Sequence, residues 1–100
     1  MAEVHVPIKP VLMPFLLDGS KDLEVRPASQ PWQGIRINDV LIFVGRVKKK
    51  IVAIRSYDTP TAMLNNEDGN RIWPGKGKNL RDFLPFHYRQ VIVFELKDLE

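Results

Sequence analysis

The segment "QVIVFELK", residues 90–97, constrains the fold more than any other stretch of the chain, because Val91, Ile92, Val93, Phe94 and Leu96 make it apolar on both parities. A strand apolar on both faces belongs inside a sheet, covered on each side, and not at an edge. Two other runs read as buried or long strands. "INDVLIFVG" has a turn at Asn38 and Asp39 feeding a buried strand over residues 40–44, and "VKKKIVAIRSY" predicts a long strand, with "GRVKKK" supplying the hairpin between the two.

The rest of the chain is short and heavily punctuated. "EVHVPI" alternates weakly and predicts a first strand. "KPVLMPFLLDG" predicts a short helix with Pro10 near its start and Gly19 as a C-terminal cap, ending at Asp18 or Gly19. "KDLEVR" predicts a strand stopped by Pro27, with Leu23 and Val25 on one face and Asp22, Glu24 and Arg26 on the other. "DTPTAMLNNE" predicts a helix, capped by Thr59 or Asp58, with Pro60 at its first position. "WPGKGKN" reads as loop, and Asn79 as the cap of a further helix whose Leu80, Phe83 and Leu84 share one face. About five or six strands with interspersed short helices, and no strict strand–helix alternation, predict an α+β fold: a small mixed β-barrel with peripheral helices, a shape that also removes exposed strand edges.

One hundred residues make a single domain, spanning 1–100, and 44% hydrophobic with 27% charged residues is an ordinary globular balance. No apolar run approaches the roughly 20 residues of a membrane span, and "MAEVHVPIKP" lacks a signal-peptide pattern, so the expectation is a cytoplasmic protein without a membrane role. With zero cysteines and only His5 and His87, the chain offers no thiolate nucleophile and no cysteine or histidine metal cage; no cofactor is expected. The formal charge of +3 is uneven. Residues 36–89 carry eleven Lys/Arg against five acids, whereas the flanks carry four against seven. A basic middle suits an anionic partner such as nucleic acid, and Arg46, Lys48, Lys49 and Lys50 at the predicted hairpin are natural phosphate contacts; the plainer alternative is a solvated hairpin tip.

The densest charge lies in "DGSKDLEVRP", residues 18–27. Glu24 and Arg26 share one strand face at about 6.5 to 7 Å, close enough to pair or to grip one ligand together. Lys21 has the parity of Leu23 and Val25, so a regular strand would turn its ammonium inward, at high cost unless it is paired. Either the strand begins after Lys21 or a polar pocket lies there.

These residues, taken with the strand plan, resemble the ASCH domain family, whose members have a PUA-like β-barrel. The family pattern of glycine, any residue, lysine, two residues, glutamate, any residue, arginine is matched by Gly19, Lys21, Glu24 and Arg26. A second block is matched by Asp39 with Val40, Leu41, Ile42 and Phe43, with Asn38 where glycine is usual, and a third by Ile72, Pro74 and Gly75. The resemblance runs from about residue 5 to residue 98. It implies a cleft that binds RNA or a nucleotide, lined by Lys21, Glu24 and Arg26. By their chemistry, Trp32 in its Pro/Gly loop and Tyr88 and Arg89 in "PFHYR" are further candidate ligand contacts, the plainer reading of the latter being a loop anchored by Phe86. Some relatives are amidohydrolases on acetylcytidine and others ribonucleases. For the former the resemblance implies catalysis by Lys21, a hydroxyl three residues later and a helical glutamate, here Glu67. This chain has Glu24 at the hydroxyl position, and a carboxylate cannot act as a hydroxyl nucleophile, although it can activate water.

Three readings follow: an RNA- or nucleotide-binding domain; a hydrolase on a modified nucleoside using Lys21 with Glu24 or Glu67; and a non-catalytic interaction module whose charged motif is a surface patch. A monomer is expected in each. Trp32 and Trp73 can stack on bases or close a small core. "GKGK" lacks the context of a phosphate-binding loop and excludes a nucleoside triphosphatase.

Overall fold

A computed structural model of the chain describes residues 2–82 and 90–99. Five strands, β1 (Glu3–Val6), β2 (Leu23–Pro27), β3 (Val40–Phe43), β4 (Val47–Tyr57) and β5 (Val91–Asp98), form one sheet in the order β1-β3-β4-β5-β2. The helices are short: α1 (Met13–Asp18), α2 (Pro60–Asn66) and α3 (Gly69–Ile72), with 3-10 turns at Pro10–Leu12, Trp32–Gly34 and Gly77–Asp82. The architecture is the expected mixed α+β one, a curled sheet that makes half a barrel. β1 runs parallel to β3; the other pairings are antiparallel.

The doubly apolar β5 sits between β4 and β2, as its composition requires. Its Ile92, Phe94 and Leu96 join Leu41, Phe43, Ile51 and Leu16 in the concave core. Its Val91 and Val93 pack outward with Leu23, Met63, Ile72 and Leu80 beneath α2, α3 and the turn at Gly77–Asp82. A register shift between Ile51 and Ala53 lets β4 bend with the sheet.

Local chemistry sets the boundaries. Gly19 ends α1 in the left-handed region at φ 84°, where a side chain would be strained. Thr59 caps α2 by accepting from the Ala62 amide at 3.1 Å, with Pro60 at the first turn. Asn38 occupies the left-handed region at φ 76°, consistent with a position that tolerates glycine or asparagine. Asp39 beside it is buried and accepts from the amides of Ala2 (2.9 Å) and Arg36 (2.8 Å), which hold its carboxyl below the ordinary value. This second block is a structural staple.

One element was not anticipated and one expectation needs correction. α3 falls in "GNRI", a stretch without helical periodicity, where Asp68 caps four residues by accepting from the Asn70 amide. Asn79 is no helix cap: the 3-10 turn already begins at Gly77. Phe83, Leu84 and His87 lie outside the described residues.

Candidate functional site

β1 and β2 are the two ends of the sheet order, and nothing in the strand ladder joins them. A side chain does: Arg26 Nη2 on β2 donates to the Pro7 carbonyl, just after β1, at 2.6 Å. A cavity of about 440 Å³ lies at this seam. Pro7, Ile8, Lys9 and Leu12 from the β1–α1 connection form one wall, Glu24 to Pro27 of β2 and Lys21 another, and Ile72 and Trp73 at the end of α3 a third. Consecutive β2 residues of both parities line it, so it runs along the unpaired edge of that strand.

The faces of β2 are the reverse of a surface salt-bridge strand. Glu24 and Arg26 are the cross-strand partners of Phe94 and Ile92, so they point to the concave side; Leu23 and Val25 lie opposite Glu95 and Val93 and point outward, beneath the helices. Covered on both faces, the strand buries its polar residues as well as its apolar ones.

Lys21 answers the parity question in both of the ways left open. β2 starts after it, at Leu23, and a polar pocket does lie there: Lys21 is 1% exposed. Its Nζ donates to the carbonyls of Leu23 (2.6 Å) and Ile72 (2.8 Å) and sits 3.1 Å from Glu24 Oε1, so its three donors have three acceptors. Glu24 Oε2 accepts from Arg26 Nη2 at 2.7 Å. Burial alone would raise the Glu24 carboxyl; the charges of Lys21 and Arg26 and their hydrogen bonds outweigh it and hold the group below its ordinary value. The Arg26 guanidinium stacks 4.6 Å from the Trp32 ring centroid. Its Nη2 is doubly used, while Nε and Nη1 have no hydrogen-bond partner among the described residues, Nε being buried.

A second ionic cluster holds α3 in place. Arg71 makes a bidentate pair with Asp22 (2.7 and 2.8 Å), the Asp22 amide donates to the Arg71 carbonyl at 3.1 Å, and Lys21 bonds the next carbonyl, that of Ile72. The consequence is positional: Trp73, directly after Ile72, becomes a cavity wall. Glu67 belongs to this cluster. It accepts from Arg55 Nε (2.5 Å) and Nη2 (2.9 Å) and from the Tyr57 hydroxyl (2.5 Å), and Arg55 continues to Glu95 at 3.0 Å. Burial pushes the Glu67 carboxyl up, but the Arg55 and Tyr57 hydrogen bonds bring it below its usual value and raise Tyr57 in return.

The sequence-derived candidates thus separate. Lys21, Glu24 and Arg26 converge on the cavity; Trp32 supports Arg26 without lining it; Glu67 lines a different depression, with Thr61 and Asn65. Lys49 is buried and bonded to Asp98, unlike the exposed Arg46 and Lys48 and the half-buried Lys50. Tyr88 and Arg89 lie outside the described residues. Trp73, read as able to stack on a base or close a small core, lines the cavity, and so does Lys9, which was not selected; its one sequence signal was local, since Lys9 before Pro10 is confined to extended backbone, and it has φ −63° and ψ 131°. Among the described residues no group of three His, Cys, Asp or Glu can hold a metal ion, and no helix is long and apolar enough to cross a membrane.

No family model and no curated protein matches the chain. Solved structures do. The hypothetical protein PH0355 superposes with a TM-score of 0.84 at 22% identity over 97% of this chain and 99% of its own. PF0455 from Pyrococcus furiosus superposes at 0.72 with 25% identity over 98% of each chain. An ASCH protein from Zymomonas mobilis superposes at 0.67 with 16% identity, over 96% of this chain and 67% of its own. The fold is ASCH-like. In this ASCH-like fold the glycine–lysine–glutamate–arginine motif occupies the seam of the half-barrel, which gives its buried charges a structural duty as well as a place beside the cavity.

Proposed function

We propose that this chain binds a nucleobase-bearing ligand, an RNA segment or a nucleotide, in the seam cavity. The observation that carries the reading is Arg26: it lines the cavity, is fixed by Glu24, Pro7 and Trp32, and keeps Nε and Nη1 without an acceptor among the described residues. A preorganised guanidinium of this kind suits a carbonyl or an oxyanion. The apolar walls of Ile8, Leu12 and Val25, with the Trp73 ring, suit the flat face of a base, and about 440 Å³ falls within the roughly 300 to 1,000 Å³ of small-molecule sites. The likeness to ASCH structures is compatible with this reading.

Hydrolysis of a modified nucleoside has less support. A general base needs a free lone pair facing the substrate, and Lys21 directs its Nζ at three acceptors; Glu67 is held by Arg55 and Tyr57 away from the cavity. Titration calorimetry with short single-stranded RNAs and mononucleotides at low salt tests the binding reading. Arg26→Ala should weaken binding at least about tenfold, as expected for a charge-assisted hydrogen bond worth roughly 1.5 to 3 kcal/mol, and Trp73→Ala should weaken it by a similar factor. Absence of binding, or binding indifferent to both changes, refutes it.

A further inference from the structure

We infer that the phosphate of that ligand is held jointly by Lys9 and Arg26, which both line the cavity; this rests on the binding reading above and names the residues that take the ligand's anion. Among the described residues the cavity lining holds three cations, Lys9, Lys21 and Arg26, against one carboxylate, Glu24. Glu24 is committed to Lys21 at 3.1 Å and to Arg26 at 2.7 Å, so it is the counter-charge of the floor and leaves nothing for Lys9. Lys9 is exposed and has no carboxylate partner among the described residues; its ammonium lies over the Trp73 ring, 5.7 Å from the centroid. Lys76 approaches the same ring at 5.8 Å.

Two positive groups lining one cavity, one of them with donors unpaired among the described residues, are complementary to an anion held beside its apolar residues. A neutral nucleoside leaves that surplus charge unmatched, whereas a nucleotide places its base against Trp73 and its phosphate between Lys9 and Arg26. Two sources share this chemistry, a phosphate monoester and the phosphodiester of an RNA strand. Lys9 lies in the connection after β1, outside every strand and helix, so replacing its side chain removes a charge and leaves the fold intact.

The experiment compares the four common nucleosides, their 5′-monophosphates and dinucleoside monophosphates lacking a terminal phosphate, by calorimetry at low and moderate salt, on the wild-type protein, Lys9→Ala and Lys9→Arg. A monophosphate or a dinucleoside monophosphate should bind at least about tenfold tighter than its nucleoside, the advantage shrinking with salt, lost in Lys9→Ala and kept in Lys9→Arg. Preference for the monophosphate assigns the monoester; preference for the dinucleoside assigns the strand. Equal binding of nucleosides and phosphorylated ligands, or an advantage that survives Lys9→Ala, overturns the inference and leaves the cavity reading standing. If no probe binds, both fall.

Discussion

Removing the Glu24 carboxylate should cost this protein a large share of its stability, because two cations depend on it. Lys21 is 1% exposed and lies 3.1 Å from Oε1, where a unit-charge attraction at an effective dielectric of about 20 is worth about 5 kcal/mol. Lys21 would keep its bonds to the Leu23 and Ile72 carbonyls, and Arg26 its bond to Pro7, so part of that loss is recovered. A buried pair broken on one side typically costs about 3 to 5 kcal/mol. Glu24→Ala is therefore expected to lose about that much of a total of roughly 5 to 15 kcal/mol, which at about 4 °C or more per kcal/mol for a chain of this size is a fall in melting temperature of more than about 12 °C. Glu24→Gln retains an oxygen for Lys21 and should lose about half as much. Lys21→Met/Glu24→Leu should recover part of the loss, since it removes the buried unpaired ammonium but leaves the Leu23 and Ile72 carbonyls and the Arg26 guanidinium without these partners. Urea titration followed by circular dichroism reads all three. A cost below about 1 kcal/mol for Glu24→Ala, or a double variant no better than the sum of its single changes, would refute the claim that the ion pair is what makes the buried lysine tolerable.

The remaining predictions concern backbone fit and acid. A Cβ on Gly69 would stand 2.4 Å from the Gly77 carbonyl oxygen, a backbone atom that cannot swing aside, so Gly69→Ala should destabilise by about 1 to 3 kcal/mol in the same urea titration, whereas no measurable loss would mean that α3 and the Gly77 turn do not touch in solution. Glu24, Glu67 and Asp39 all have folded values below their unfolded ones. Between the two values the unfolded chain binds more protons, so the stability they contribute is present above about pH 4.5 and is lost as the pH falls through the folded values. The urea midpoint should drop steadily below about pH 4.5; a midpoint that rises on acidification would contradict the assignment.

Much of the fold was legible in the residues because it is set locally. Proline and glycine punctuate the helices, Thr59 and Gly19 cap them, and the doubly apolar β5 had to be interior. α3 was not legible, since four residues are too few for periodicity and their helical state rests on the Asp68 cap and the Lys21 and Asp22 bonds to the carbonyls of Ile72 and Arg71. Within the candidate site, Lys21, Glu24 and Arg26 stood out because a charged alternating strand is unusual. Glu67 was drawn in by resemblance and sits instead in the Arg55 and Tyr57 cluster, and Lys49 turns inward to Asp98 while Lys48 next to it turns out. Trp73 and Lys9 enter the cavity only because chain segments about 64 residues apart meet there.

By itself the sequence determined that Glu24 and Arg26 share one face of a strand, that Leu23 and Val25 share the other, and that Lys21 fits neither comfortably. It did not determine which face is concave. Alternation has a period of two and carries no sign: either set can point into a curled sheet, provided the other is covered. The tertiary structure made that choice by laying α2, α3 and the Gly77 turn over Leu23 and Val93, which turned Glu24 and Arg26 inward and left the seam between β1 and β2 to be closed by a side chain instead of a ladder. The cavity lies at that seam.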